Sequence, residues 1–223
     1  MSSLRTAALA ASLMVAGILG TTVPAAQAAP ATPGRTASRP EAQAQATRHT
    51  QPAPSQCGGE GVDPTALIRY QADVVIKAPL STVWKLQTDV EGWPSWQPPV
   101  TTSERLDHGP LRKGSRFRWT TPAPATPTTP ATTLDITSTV RRLQRHSCVL
   151  WSGPAVGEGL RIDEGVHLWT FKKVPGGVQV HTEETWTGAQ VEADVPTATA
   201  ALGAGLEAWL SDLKAAAEAT ARS

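Results

Sequence analysis

The chain holds 223 residues, 20 of them basic and 19 acidic, with eight tryptophans against one tyrosine and two phenylalanines. So close a charge balance, without a basic run, offers no electrostatic footprint for nucleic acid or for an anionic membrane surface. Neither is expected as a partner.

Residues 1–28 read as a secretory signal peptide: Arg5 supplies a positive start, Ala7 to Leu19 an apolar run too short to span a bilayer, and Ala26-Gln27-Ala28 a small-residue cleavage pattern. Cleavage there starts the mature chain near Ala29 and removes Arg5 with no acid, so the 20 basic residues less one match the 19 acidic ones. No cysteine follows the cleavage pattern and Arg5 stands alone, so secretion by the general route is expected. No other stretch has transmembrane length, so stable membrane insertion is not expected. From Ala29 to Ser55 there is no aromatic or large aliphatic residue, and such a segment cannot offset its ordering entropy. Residues 29–64 are therefore expected to form a disordered leader, and 65–220 a single domain of about 155 residues, large enough for a sizeable core.

Two cysteines, Cys57 and Cys148, lie in a chain expected to reach an oxidising compartment. Two readings stand. Gly58, Gly59 and Gly61 let Cys57 reach back onto the domain, where a disulfide closing so long a loop stabilises by about 4–5 kcal/mol in the chain-entropy model. Alternatively, one thiol is buried and the other hangs on a loose segment.

Tyr70 to Lys77 alternates with β-branched residues and predicts a strand. "APLSTVWKLQTD" follows as a short helix, with Pro79 at its first turn and Val83, Trp84 and Leu86 in a helical pattern. Pro94 and Pro98-Pro99 bar a continuous helix through "DVEGWPSWQPPV", which predicts at most one more helical turn over Val90 to Trp93 and then a corner. Strands are predicted at Val100 to Leu106, Ser115 to Thr120, Leu134 to Leu143, Cys148 to Trp151, Leu160 to Val174 and Val178 to Trp186, with turns at His108-Gly109-Pro110 and Pro175-Gly176-Gly177. The prolines of "TTPAPATPTTPATT" suit an exposed loop. From Pro196 the period changes: Leu202, Leu206, Trp209, Leu210 and Leu213 form one apolar stripe on a long helix. The predicted class is thus α+β, with a curved antiparallel sheet wrapped around the long C-terminal helix and two short helices after the first strand. A cavity is expected between helix and sheet.

The stretches "IKAPLSTVWKLQTDVEGWPSWQPPV" (76–100), "LRKGSRFRW" (111–119), "GVHLWTFKKVPGGVQVHTEETWTG" (165–188) and "GLEAWLSDLKAAAE" (205–218) together resemble the START-like, Bet v 1-like (SRPBCC) superfamily, in particular its polyketide cyclase/dehydrase and lipid transport proteins. The resemblance implies a helix-grip fold and a small hydrophobic ligand. It also places the "WPSWQPPV" corner at the cavity mouth, with Trp93 and Trp96 as wall and gate or as plugs of the core end. The leader and the long proline-threonine loop depart from the family.

On the strand from Gly165 both faces are apolar: His167, Trp169 and Phe171 on one, Val166, Leu168 and Thr170 on the other. The resemblance turns the aromatic set inward. On the next strand Val178, Val180, Thr182, Glu184 and Trp186 share the expected inner face, opposite Gln179, His181 and Glu183. A carboxylate at 184 must be paired, hydrogen-bonded or protonated. His167 and Glu184 could orient a ligand, exchange protons with an enolisable ketone, or simply satisfy each other. Phe117, Trp119 and Trp151 are expected inside, with Arg116 and Arg118 in solvent. The expected ligand lining is Trp96, Phe117, Trp119, Trp151, His167, Trp169, Phe171, Glu184, Trp186, Leu206 and Trp209. His181 and Glu183 lack further metal ligands, and no phosphate cradle, nucleophile elbow or paired-cysteine zinc site occurs, so no cofactor or metal is expected. Three functions remain: a secreted carrier of a lipid-like or aromatic molecule, a polyketide cyclase or dehydratase using His167 and Glu184, and a packed interaction domain without ligand. Oligomeric state is left open.

Overall fold

A computed structural model describes residues 56–126 and 129–222; the expected signal peptide and the leader up to residue 55 lie outside them. The described chain opens with a 3₁₀ turn at Gln56–Gly59, ahead of the domain start expected at residue 65. Cys57 is fully buried there and bonded to Cys148, 91 residues on, so of the two thiol readings the disulfide is the one realised.

Strand β1 (Ile68–Ile76) leads through Pro79, which caps helix α1 (Leu80–Thr88), into a second 3₁₀ turn at Val90–Ser95. Then come β2 (Thr102–Arg105), β3 (Arg116–Ala123), β4 (Thr132–Gln144), β5 (Cys148–Gly157), β6 (Leu160–Val174) and β7 (Gly177–Thr187). A single turn, α2 (Ala189–Glu192), precedes the long helix α3 (Val195–Thr220). The strands form one seven-stranded antiparallel sheet in the order β1-β7-β6-β5-β4-β3-β2. The last strand thus returns to pair with the first, and α3 crosses back over β1. Among the described residues no helix is long and apolar enough to cross a membrane.

Two strands run further than the sequence pattern predicts. The strand expected to end at Trp151 continues to Gly157, because Pro154 sits where the register with β6 shifts between Gly153 and Ala155. A bulge is where a ladder tolerates proline. Likewise β3 enters the proline-threonine segment as far as Ala123: Pro122 pairs with Thr133 on one side, while β2 reaches no further along β3 than Thr120, so proline lies on a free edge.

Helix α3 begins where Asp194 accepts a hydrogen bond from the Thr197 amide, at 3.1 Å, and Pro196 sits in the first turn, where its missing N–H costs nothing. Gly203 is buried on Tyr70; a Cβ there would fall 2.7 Å from the ring, so only glycine lets helix and strand approach this closely. Further along, Lys214 donates to the carbonyl of Val75 at 2.8 Å, and Glu218 accepts from the Lys77 amide at 2.9 Å, tying the helix end to β1.

The apolar interior divides in two. One cluster gathers Trp84, Trp93, Phe117, Trp151, Trp169, Phe171, Trp209 and Leu213. The other is mostly aliphatic: Ile68, Leu134, Ala155, Ile162, Val191, Leu202 and Leu206, with Tyr70, Ile136 and Trp186 at its rim. A third, small cluster lies on the outer face of the sheet, where Val62 and the Cys57–Cys148 bridge cover Leu150, Val166 and Leu168. This explains why both faces of β6 are apolar: both are covered.

Candidate functional site

Register brings the expected polar pair together. In the β6–β7 hairpin His167 lies directly across from Glu184, and Trp169 across from Thr182. His167 Nδ1 stands 3.0 Å from Glu184 Oε2, and its Nε2 stands 2.7 Å from Thr182 Oγ1. The other carboxylate oxygen accepts from Trp186 Nε1 at 2.8 Å. A carboxylate can only accept, so Nδ1 carries the hydrogen directed at Glu184; in the neutral imidazole Nε2 then accepts from the Thr182 hydroxyl. The result is a hydrogen-bonded chain of Thr182, His167 and Glu184, closed by Trp186.

Burial grades along that chain. Thr182 is fully buried, the His167 side chain is 5% accessible and that of Glu184 16%. The carboxylate is therefore the member that a molecule from solvent meets first. Beside it Gly165 lies across from Trp186 on one side and from Gly153 on the other; the backbone of β4 closes over Gly153, whose Cβ would fall 1.9 Å from the Thr137 carbonyl oxygen, while Glu184 and Trp186 lie over Gly165. Tyr70, across from Glu184 on β1, is half-buried and donates its hydroxyl to Glu207 of α3. That hydrogen bond, with the charge of Glu207 beside it, holds the phenol above its ordinary pKa.

The other end is closed by aromatic rings. Trp93 is fully buried at its centre, edge-on to Phe117 at 5.4 Å, to Trp119 at 5.8 Å and to Trp209 at 5.0 Å, and tilted on Trp151 at 5.7 Å. Trp169 lies against both Trp209 and His167. Edge-to-face pairs contribute about 0.5–1.5 kcal/mol each beyond their area. Gln87 of α1, fully buried, serves this cluster twice: its backbone carbonyl accepts from Trp93 Nε1 and its side-chain oxygen from Trp209 Nε1, both at 3.1 Å. The sequence pattern does not single out Gln87. Its one signal is its place at i+4 from Val83 and i+3 from Trp84, on the apolar face of a short helix.

The expected lining is thus split. Phe117, Trp151, Trp169, Phe171 and Trp209 belong to the closed cluster, with Trp119 at its rim donating to Ser138 Oγ at 3.2 Å. His167, Glu184 and Trp186 form the polar chain with Thr182, and Leu206 lies in the aliphatic cluster. The indoles fill the space that they were expected to line. Trp96 stands apart: half-buried, it separates Trp209 from a surface pocket of about 400 Å³ that Lys85, Leu86, Asp89 and Thr220 also line. On the outer face, His181 pairs with Asp73 and Glu183 with Arg69, so β1 engages them separately. Among the described residues no three His, Cys, Asp or Glu side chains are grouped as metal ligands.

Residues 68–218 match the family described as polyketide cyclase/dehydrase and lipid transport. The fold is similar to that of solved structures at low identity. A protein from Thermus thermophilus is 17% identical with a TM-score of 0.53, over 68% of this chain and 98% of that one. A START superfamily protein from Mycobacterium smegmatis is 13% identical with a TM-score of 0.52, over 68% and 98%. The di-domain ARO/CYC protein StfQ of the steffimycin biosynthetic pathway is 15% identical with a TM-score of 0.52, over 70% of this chain and 52% of that one. No curated protein matches the sequence.

Proposed function

The chain belongs to the polyketide cyclase/dehydrase and lipid transport family, and from that premise we propose that it is a secreted binding protein for a small hydrophobic molecule, lipid-like or aromatic, held between the sheet and α3. One observation carries the reading: on the inner face of the sheet the Glu184 carboxylate stays partly accessible, over Gly165 and beside Trp186 at the rim of an aliphatic cluster. Ligand sites of this kind combine apolar walls with few polar groups that fix orientation. The disulfide suits an oxidising compartment and so supports export; the mature protein in a culture supernatant should then begin near Ala29, by N-terminal sequencing.

Native mass spectrometry of the secreted protein, joined to titration with 1-anilinonaphthalene-8-sulfonate, tests the binding. A retained small molecule or saturable one-to-one probe binding is expected. Neither a retained mass nor saturation would leave a packed interaction domain as the better account.

A second reading, a cyclase or dehydratase in which His167 and Glu184 move protons, is favoured by the Thr182–His167–Glu184 chain itself. Against it, both imidazole nitrogens are already engaged and the ring is sealed between Trp151 and Trp169. A general base must reach the proton it abstracts. Turnover of a polyketone substrate that His167→Ala and Glu184→Gln each abolish would establish the catalytic reading.

A further inference from the structure

We propose that Glu184 sets the ligand's chemistry: the molecule seated against it carries a hydrogen-bond donor, a hydroxyl or a protonated amine, on an otherwise apolar ring body. The inference rests on the binding reading above and deepens it.

A carboxylate offers about four lone-pair sites. Glu184 spends one on Trp186 Nε1 and one on His167 Nδ1. Both donors are fixed from behind. His167 is held by Thr182 and by the rings of Trp151 and Trp169, and Trp186 packs on the aliphatic cluster. The carboxylate therefore cannot swing away to find other partners, and about half of its acceptor capacity is left on its accessible side.

Its neighbours on this stretch of the sheet face do not compete with it. Gly153 and Gly165 have no side chains, Ile136 is apolar, and the Tyr70 hydroxyl is turned to Glu207. Gly165 gives the carboxylate and the indole their room: a Cβ there would stand 3.3 Å from Glu184 Oε1 and 3.5 Å from Trp186 Cδ1. A ligand that brings a carbonyl or ether oxygen to this spot sets lone pair against lone pair and strips water from a charge without replacing it. A donor replaces the lost water bond. The site discriminates by what hangs on the ring, while the aliphatic wall accepts the ring itself.

Three probes with one ring body separate the possibilities: 1-naphthol, 1-naphthylmethylamine and 1-methylnaphthalene, titrated into the full secreted chain and into Glu184→Gln by calorimetry. A bond to a charged acceptor should make at least one donor probe bind about tenfold or more tightly than 1-methylnaphthalene. The naphthol and amine arms then tell a neutral donor from a cationic one. In Glu184→Gln the preference should fall to within about threefold, because an amide offers fewer acceptor sites. Equal binding of all three probes to the wild type, or a preference unchanged in Glu184→Gln, overturns the role of Glu184 and leaves the binding reading intact. Binding of none overturns both. Should Glu184→Gln not fold, Trp186→Phe decides: it frees one carboxylate oxygen and must keep or sharpen the donor preference, and loss of the preference there overturns the proposal.

Discussion

The two ends of the grip use the same sheet and helix for opposite purposes. At the Trp93 end, rings from three strands, α1, the 3₁₀ turn and α3 pack on one another, most of them edge to face, and the surface pocket beside them lies beyond Trp96. At the Leu206 end the side chains are smaller, the rim of Tyr70, Ile136 and Trp186 stays half-buried, and a carboxylate is left accessible. The difference teaches that in this chain the tryptophans mark the closed end of the grip. The aromatic half is built from large interlocking rings, the other from smaller aliphatic side chains that are equally buried at their centre.

If so, breaking the closed end should hurt most. Trp93→Ala removes a fully buried indole together with its hydrogen bond to Gln87 and should cost about 3–5 kcal/mol, read by equilibrium urea unfolding. Replacing Cys57 and Cys148 together by alanine should cost roughly 2–4 kcal/mol in the same assay. It should leave probe binding at the inner face unchanged, since the bridge lies on the outer face.

Two glycines on α3 sharpen the contrast in packing. Gly203→Ala drives a methyl to within 2.7 Å of the Tyr70 ring, and the resulting clash should outweigh the helix-propensity gain and destabilise by about 1 kcal/mol or more. Gly205 faces open space, so Gly205→Ala should stabilise by about 0.5–1 kcal/mol. Thermal unfolding of the pair should therefore shift in opposite directions.

The smallest expected effect is at Asp212, where desolvation raises the carboxyl pKa above its ordinary value. A folded-state pKa above the unfolded one means that the group weakens the fold progressively as pH rises from the unfolded pKa through the folded one. Solvent screening at this half-buried position keeps the effect small. Asp212→Asn should thus stabilise at pH 7 by roughly 0.5 kcal/mol or less, and the gain should vanish below pH ~3, where both states are protonated.

Much of this division was beyond the reach of pattern, although the fold was not. Alternation placed β1, β6 and β7 and sorted the two faces of β6 and β7, the resemblance said which face of β6 turns inward, and the change of period at Pro196 placed α3. His167 and Glu184 were legible as a pair because a tight hairpin at Pro175-Gly176-Gly177 fixes their register. Periodicity sorts side chains onto shared faces but does not tell which of them meet, so the ring cluster and the aliphatic cluster looked alike. Gln87 escaped because a polar residue on an apolar stripe gives no hint of the two indoles that it serves. The strand through Pro154 escaped because a bulge is a tertiary accommodation. The cover over Leu168 depended on a bridge whose partners are 91 residues apart.

The eight tryptophans make the difference between the two ends directly observable. In a ¹H–¹⁵N spectrum of the indole N–H groups, titration with 1-naphthol should move the Trp186 resonance, whose N–H donates to Glu184, and leave those of Trp93 and Trp209, both bonded to Gln87, in place. Movement of the Trp93 and Trp209 signals with Trp186 unmoved would put the guest among the rings and contradict the account.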